Sequence, residues 1–399
     1  MFANLDQEFL SWGWLIPAFF PVLEAVGRGP LNTCLALYLA WGLTVLAKRG
    51  LGGERRTVIL FLILISVFGL SLIGAEDLSR GGRTWLKYSF VVLTYFMTLH
   101  ALALDTNGWI RQFKCLALAG ILTSMVLVLR GGITSDWKHL VPVRGLFERN
   151  LPFLLPFLLF SLRSIPNQMT RRFSSLGACT VFALIIVFSG GRSALVGFVV
   201  ALAVYGVIGI GLRMRTVSVI CVLIVLSAAV LGGPKGVQMT RGLSTMDLDS
   251  ISTGRTYLWR HAIAYPPENL LFGVGMDNTR HYENVVHIRN VKGMPDQKVK
   301  HLHNFIFDLW YETGFAGLLA YVLFVASLIV PVLRNWKRYS PEVKSSLAPV
   351  LSATFAILAS ASLSFSFHSL QMSVYMFFLL ASLTSVNFTS MNDPGVVDG

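Results

Sequence analysis

The sequence contains little charge for its length, and acidic residues are the scarcer kind. Of 399 residues only 13% are charged, and 20 Asp and Glu stand against 33 Lys and Arg, a formal net charge of +13. A soluble domain carries about 25% charged residues, so this scarcity excludes a chain whose whole surface faces water. Hydrophobic residues make up 54%, and mean hydropathy is +0.64. The composition predicts a membrane protein.

Cysteine is also scarce. The chain has 4 cysteines, no two of them at a spacing typical of metal ligands, and each falls inside an apolar run: Cys34, Cys115, Cys179 and Cys221. This pattern gives no indication of a cysteine metal site, and it says nothing about redox chemistry. We expect these side chains to be small apolar fillers.

Long apolar runs, in contrast, recur along the chain. A transmembrane helix needs about 20 mostly apolar residues. About twelve runs satisfy this rule; they lie near 8–26, 30–47, 57–74, 85–104, 109–129, 150–164, 174–189, 192–212, 214–232, 304–331, 346–365 and 368–389. The sequence therefore predicts an all-α fold, a polytopic bundle of about 12 transmembrane helices.

The basic residues of the short loops predict the orientation of this bundle. Cytoplasmic loops of membrane proteins are enriched in Lys and Arg. With a cytoplasmic N-terminus, the loops on that side contain Lys48, Arg49, Arg55, Arg56, Arg111, Lys114, Arg163, Arg171, Arg172, Arg213, Arg215, Arg334, Lys337, Arg338 and Lys344. Topology and anionic headgroups explain this excess, and no basic groove with interleaved aromatics indicates nucleic acid.

This orientation divides the chain into three parts. Residues 1–232 hold transmembrane helices 1–9, and residues 304–399 hold helices 10–12 and a cytoplasmic C-terminal tail. Between them, residues 233–303 form one large polar loop on the non-cytoplasmic side. Its aromatic residues predict a small packed subdomain of short helices, not disorder.

Arg192, in the stretch SGGRSALVGF, falls where a predicted span begins on the non-cytoplasmic side. A helix N-terminus already carries partial positive charge, so an Arg there is unfavourable unless an anion is present. Gly190 and Gly191 would let a ligand approach the backbone closely. The motif indicates either an anion site or an arginine anchored at the membrane interface.

Arg255, in the stretch STGRTYLWR, shows the same pattern. Ser252 or Thr253 can cap a helix, which places Arg255 in its first turn. Alone it indicates either an anion site or a surface residue. Two such arginines facing one compartment favour a di-anionic group, because guanidinium forks bind phosphate oxygens in pairs.

The stretch KHLHNFIFDLWYETGFAG combines histidines with polar residues at the start of an apolar helix. Asn304, Asp308 and Glu312 are spaced i, i+4, i+8, which predicts a polar stripe on one helix face. His303 directly precedes this stripe, where water and substrate can reach a general base. His301 and His303, at i and i+2 of a helix, are expected to point apart, so only His303 would serve. A plain interfacial histidine is the alternative.

Metal binding is a second alternative for these histidines. His301 and His303 have no third ligand at diagnostic spacing. Three further histidines are scattered through the same segment and could join them: His261, His281 and His287. We predict no metal and no cofactor.

Two further motifs receive structural interpretations. RGGRTWLK contains Arg80, Arg83 and Lys87, which we interpret as interfacial anchors, with contact to anionic headgroups as the alternative. The GVG at residues 273–275 lacks a third glycine and a strand–helix context, so it predicts no dinucleotide site.

Together these motifs resemble a known family. The signature blocks of the O-antigen ligase and polymerase superfamily are similar to SGGRSALVGF, STGRTYLWRHAIAYPPENLLFGVGMDN and HLHNFIFDLWYETGFAGLL, in this order. The resemblance covers about residues 190–320 in detail, with a ligase-like length and a large loop before the last block. One departure is YPPENLLFGVG, where members often have a single proline.

The resemblance implies a metal-independent glycosyltransferase of the bacterial inner membrane, with its active site facing the periplasm. It would transfer O-antigen polysaccharide from undecaprenyl diphosphate to lipid A–core oligosaccharide during lipopolysaccharide biosynthesis. Arg192 and Arg255 would bind the diphosphate, and His303 would be the catalytic base. Asn304, Asp308, Glu312, Gly190 and Gly191 would support them.

Other functions remain open. An O-antigen polymerase or a protein O-oligosaccharyltransferase would use the same lipid-linked donor. The non-enzymatic alternative is a transporter or flippase of lipid-linked glycans, which would carry ionisable groups near the membrane centre and paired broken helices. The spans are mostly clean apolar runs with charges near one face, which favours chemistry over transport.

Overall fold

The computed structural model describes residues 13, 15–26, 28–51, 55–103, 108–133, 141–189, 191–213, 216, 255–281, 301–364, 366–367 and 369–392. Across these residues the chain is helical and contains no strand. Eight helices of this part are long and apolar enough to cross a membrane. The predicted all-α polytopic membrane bundle is confirmed.

The helices follow one another in a simple order. The N-terminal half contains α1 (Leu15–Ala18), α2 (Phe20–Val26), α3 (Arg28–Arg49), α4 (Arg55–Leu70), α5 (Leu78–Ala103), α6 (Gly108–Ile133), α7 (Val141–Leu162), α8 (Gln168–Ser189) and α9 (Arg192–Val204). The remainder contains α10 (Arg255–Ala264), α11 (Phe305–Asn335), α12 (Pro341–Ser364) and α13 (Leu370–Asn392). A π-helical turn, Tyr205–Gly209, extends α9, and 3₁₀ turns occupy Ser71–Gly74, Thr279–His281 and Trp336–Arg338.

Several predicted spans differ from the helices of the structure. The described part of the predicted span 8–26 consists of two short helices, α1 and α2, instead of one. Two shorter apolar helices, Asn150–Leu162 and Met372–Val386, occupy the predicted spans 150–164 and 368–389. All but one residue of the span 214–232 lie outside the described part. The large loop is described at 255–281 and 301–303, where it contains α10 and a 3₁₀ turn.

The beginning of α5 is a further difference. The sequence predicted a span from residue 85, but the helix begins at Leu78 and includes the whole RGGRTWLK stretch. Asp77 explains this start, because its Oδ1 accepts a hydrogen bond from the Arg80 N–H at 2.9 Å. An aspartate in that position caps a helix, which the search for apolar runs does not detect.

Small residues let α9 and α12 pack closely. A Cβ added at Gly197 of α9 would lie 2.1 Å from Ser360 Oγ of α12, so no larger residue fits there without a shift. The Ser360 hydroxyl donates to the Ser193 carbonyl at 3.1 Å, and the Ser352 hydroxyl donates to the Ala201 carbonyl at 2.5 Å. Small residues and interhelical hydrogen bonds are typical of membrane helix interfaces. This contact fixes the start of α9 against the end of α12.

The helix α11 is broken at Gly314, where the sequence predicted one continuous span. Gly314 has φ 67° and ψ −172°, which is not helical. The segment Leu270–Gly275 fills the break. The Leu270 and Leu271 carbonyls accept from the Phe315 and Ala316 N–H groups, at 2.9 and 3.1 Å.

The same segment also forms hydrogen bonds with the part of α11 before the break. The Val274 and Gly275 N–H groups donate to the Tyr311 and Glu312 carbonyls at 3.1 and 2.9 Å. Orphaned backbone groups in an apolar interior are costly, so these four hydrogen bonds stabilise the break. The polar loop is therefore joined to the bundle through the backbone of α11.

Candidate active site

The C-terminal end of α12 is where the sequence-predicted site residues are anchored. Arg192 is the first residue of α9 and half-buried, and Gly191 before it has an extended backbone with no side-chain cap. The next residue, Ser193, accepts the hydrogen bond from Ser360 of α12. Arg192 therefore lies at this end of the bundle. Gly190 lies outside the described residues.

Arg255 reaches the same end of α12 from the loop. It is the first residue of α10, and its guanidinium donates to the Leu363 carbonyl in the last turn of α12. A helix C-terminus carries partial negative charge, so this contact holds the arginine favourably. The proposed caps Ser252 and Thr253 lie outside the described residues.

The helix α10 is fixed to the beginning of α11. Trp259 stacks on Phe307 with ring centroids 5.7 Å apart, and its Nε1 donates to the Leu302 carbonyl at 3.0 Å. The Tyr311 hydroxyl donates to the Tyr265 carbonyl at 3.1 Å. The arginine block and the histidine block thus form one packed unit.

The two histidines lie against each other before α11 begins. The His301 and His303 ring centroids are 4.1 Å apart at an interplanar angle of 62°. The prediction that the rings point apart is wrong, because it assumed a helix and residues 301–304 are not helical. His303 has φ 54°, a left-handed conformation that costs energy and that histidine adopts more often than most residues.

The polar residues of α11 anchor the segments around the histidines. Asn304 is the N-cap of α11, and its Oδ1 accepts from the Ile306 and Phe307 N–H groups at 2.9 and 3.2 Å. Asp308 is fully buried, and its Oδ1 accepts from the Leu302 N–H at 2.6 Å. It therefore fixes the backbone next to His303.

Asp308 also connects this unit to α12, because the Ser366 hydroxyl, two residues beyond that helix, lies beside its carboxylate. The C-terminal end of α12, together with Ser366 just beyond it, therefore contacts the starts of α9, α10 and α11. The three sequence blocks that carry Arg192, Arg255 and His303 meet at one place in the fold.

Comparison with known protein families finds a match over the part of the chain that contains these blocks. A family model described as O-antigen ligase matches residues 177–322. The match supports an O-antigen ligase family assignment. No curated protein matches the chain. The matched range contains α9, α10 and the first half of α11, so it includes all three blocks.

Sequence reasoning missed a hydrogen-bond and ion-pair network beside the candidate site. Glu312, fully buried, accepts from the Asp277 N–H at 2.7 Å and from the Thr279 hydroxyl at 2.8 Å. Asp277 in turn forms ion pairs with Arg80 at 2.7 Å and Arg280 at 2.6 Å. The GMDN stretch that follows GVG was the available signal, because Gly, Asp and Asn are the residues that turns require.

The chemistry available at the site comes from cationic, imidazole and carboxylate side chains. Among the residues that the structure describes, no group of three or more His, Cys, Asp and Glu is arranged to hold a metal ion. The blocks that meet at the end of α12 carry two arginines and a histidine. This set suits an anionic leaving group and a proton acceptor.

Proposed function

We propose that this multi-pass membrane protein is an O-antigen ligase. It transfers O-antigen polysaccharide from undecaprenyl diphosphate to lipid A–core oligosaccharide at the periplasmic face of the bacterial inner membrane. The observation that carries this proposal is the meeting of the Arg192, Arg255 and His303 blocks around the end of α12. Basic residues in the opposite loops support the orientation.

In the proposed reaction the two arginines bind the donor diphosphate. As the bond between the sugar anomeric carbon and the phosphate oxygen breaks, negative charge grows on undecaprenyl diphosphate. Arg192 and Arg255 stabilise this charge more strongly than they stabilise the bound donor, which lowers the barrier. A guanidinium has five N–H donors, so the contact of Arg255 with Leu363 does not by itself prevent phosphate binding.

His303 acts on the acceptor. A ring nitrogen takes the proton from the attacking hydroxyl of lipid A–core while its oxygen bonds to the anomeric carbon. The His301 ring packed at 4.1 Å and the Asp308–Leu302 hydrogen bond hold His303 in position. The arginines supply the positive charge that a metal ion supplies in other transferases, so the proposed reaction is metal-independent.

Product analysis tests this function. The purified full-length protein is reconstituted with lipid-linked O-antigen and lipid A–core, and the glycolipid products are separated by mass. A ligase forms O-antigen attached to lipid A–core and releases undecaprenyl diphosphate. Longer glycans on undecaprenyl diphosphate alone would instead indicate a polymerase. Movement of the donor between leaflets without any new bond would indicate a flippase.

A further inference from the structure

A cavity of about 430 Å³ lies between α3, α5 and α13, away from the contact of α9 with α12. Its walls are mostly apolar and its polar residues include Thr84, Lys87 and Asp277; the other lining residues are Leu35, Leu39, Tyr88, Phe90, Val91, Thr94 and Val374. Ligand sites typically have volumes of about 300–1,000 Å³ with apolar walls and a few polar groups. The cavity has the size and lining of such a site.

The shape of the cavity fits a lipid chain. Along α5 its lining runs from Thr84 to Thr94, and the ten steps between these residues correspond to about 15 Å at 1.5 Å per residue. The hydrocarbon core of a bilayer is about 30 Å thick, so this length equals about one leaflet. Thr84 and Lys87 lie in the first three turns of α5, so the polar end of the cavity is near a helix end.

Basic side chains stand at that polar end. Lys87 lines the cavity and is exposed, and Arg83, one turn earlier on the same face, is also exposed. Asp277, the acidic residue among those that line the cavity, forms ion pairs with Arg80 and Arg280. The local charge is therefore positive and complements a phosphate group.

Two hydrogen bonds, separated by one turn of α11, lie between this cavity and the proposed base. Asp277 lines the cavity, and its N–H donates to Glu312. Glu312 lies one helical turn after Asp308, which accepts from Leu302 next to His303. A headgroup held at the mouth of the cavity would therefore lie on the same side of the bundle as His303.

We propose that this cavity binds the acceptor, with an acyl chain of the lipid A portion between α3, α5 and α13 and a phosphate of that portion on Lys87 and Arg83. This rests on the proposed function and adds where the second substrate binds. The donor diphosphate then occupies the end of α12 between α9 and α10, and the two lipids approach His303 from different helices. The acceptor's core sugars extend from the phosphate towards the imidazole.

Kinetics that vary each substrate separately test this site. Lys87→Glu and Arg83→Glu are exposed charge changes in the full-length protein reconstituted in nanodiscs. We expect each to raise the KM for lipid A–core about tenfold, equal to about 1.4 kcal/mol of binding free energy. The donor KM and the kcat at saturating acceptor should stay within about twofold. Leu39→Trp, which keeps every charge, should raise the acceptor KM by filling the cavity.

Arg172→Glu is the matched control, because Arg172 is also exposed in the second turn of an apolar helix but lies on α8. It should leave both KM values unchanged. An unchanged acceptor KM in Lys87→Glu and Leu39→Trp would overturn the proposal. A rise in the donor KM instead would assign the basic residues to the donor and also overturn it.

A direct binding measurement distinguishes a failure of the acceptor site from a failure of the proposed function. Labelled lipid A–core should bind the wild-type protein without donor, and Lys87→Glu should weaken its binding about tenfold. If this pattern is found but no transfer occurs, the ligase function fails and the acceptor site stands. Displacement of the label by equimolar phosphatidylglycerol would mean a general phospholipid site and contradict the proposal.

Discussion

Arg192 and Arg255 each occupy the first residue of a helix, a position where the positive helix dipole opposes a cation. The structure offsets this cost for Arg255 with the carbonyl of Leu363 at the negative end of α12. In the proposed function, the donor diphosphate adds to this compensation. The arginine side chains then have a binding role in addition to their structural contacts.

Substitution of the arginines tests this role. Arg192→Ala should lower transfer about a hundredfold, a typical cost of losing a group that stabilises transition-state charge, while membrane levels remain normal. Arg255→Lys can still donate to Leu363 but cannot form a bidentate fork, so it should retain only part of the activity. The measurement is the initial transfer rate at saturating acceptor. Near-normal rates in Arg192→Ala and Arg255→Ala would identify both arginines as interfacial anchors.

For His301 we predict a supporting role. Its ring packs on His303, so His301→Ala should reduce transfer only a few-fold and leave substantial activity. The measurement is the transfer rate together with its pH profile, because loss of a positioning contact changes the rate without removing the titrating base. A loss as large as that of a His303 variant, with sensitivity to chelator, would instead indicate a metal site.

At the scale of elements, the break in α11 depends on glycines. Gly314 and Gly273 have φ of 67° and 73°, and an added Cβ would lie 2.2 Å from the Leu271 oxygen and 2.5 Å from the Glu312 carbonyl carbon. We therefore expect the loop and α11 to lose their mutual hydrogen bonds when either glycine is replaced.

Thermal unfolding in detergent measures this effect. Gly314→Ala and Gly273→Ala should each destabilise the protein by more than about 1 kcal/mol and lower Tm by at least about 2 °C. Gly82→Ala is the control, because Gly82 lies in α5 with no atom within 4 Å of an added Cβ. Its Tm should not fall. Unchanged Tm in all three variants would contradict the tight fit at the break.

The break also shows what the sequence could and could not predict. Apolar length predicts the helices well, because each span must bury its backbone hydrogen bonds. It does not predict the break at Gly314, since the partners of the freed groups come from residues 270–275, far along the chain. The contact between the His301 and His303 rings was missed because Asn304 caps α11, so the helix begins only after both histidines.

For the candidate site, the sequence predicted local features but not the contacts between distant segments. The helix start at Arg192 follows from local sequence. Glu312 and Asp277, in contrast, become neighbours only through the loop that fills the break. The catalytic, substrate-binding and supporting roles assigned to the site residues from the sequence stay predictions. The meeting of three blocks at the end of α12 required tertiary structure.

For the whole molecule, orientation decides which substrates can reach the site. The loop containing α10 should face the periplasm and the basic loops the cytoplasm. In a background with the four native cysteines replaced by alanine, a membrane-impermeant thiol reagent added outside should label Glu268→Cys. It should spare Arg172→Cys; both positions are exposed. The reverse labelling would place the arginines and histidines in the wrong compartment for a periplasmic ligase.

The most direct test of metal-independent transfer by His303 is the rate of the reconstituted reaction in the presence of a chelator. His303→Asn suits this test, because asparagine tolerates the left-handed backbone at φ 54° but cannot act as the base. The wild-type rate should be unchanged by chelator, and His303→Asn should fall at least about a hundredfold with normal membrane levels and Tm. A His303→Asn rate within about tenfold of wild type, or a wild-type rate abolished by chelator, would contradict the mechanism.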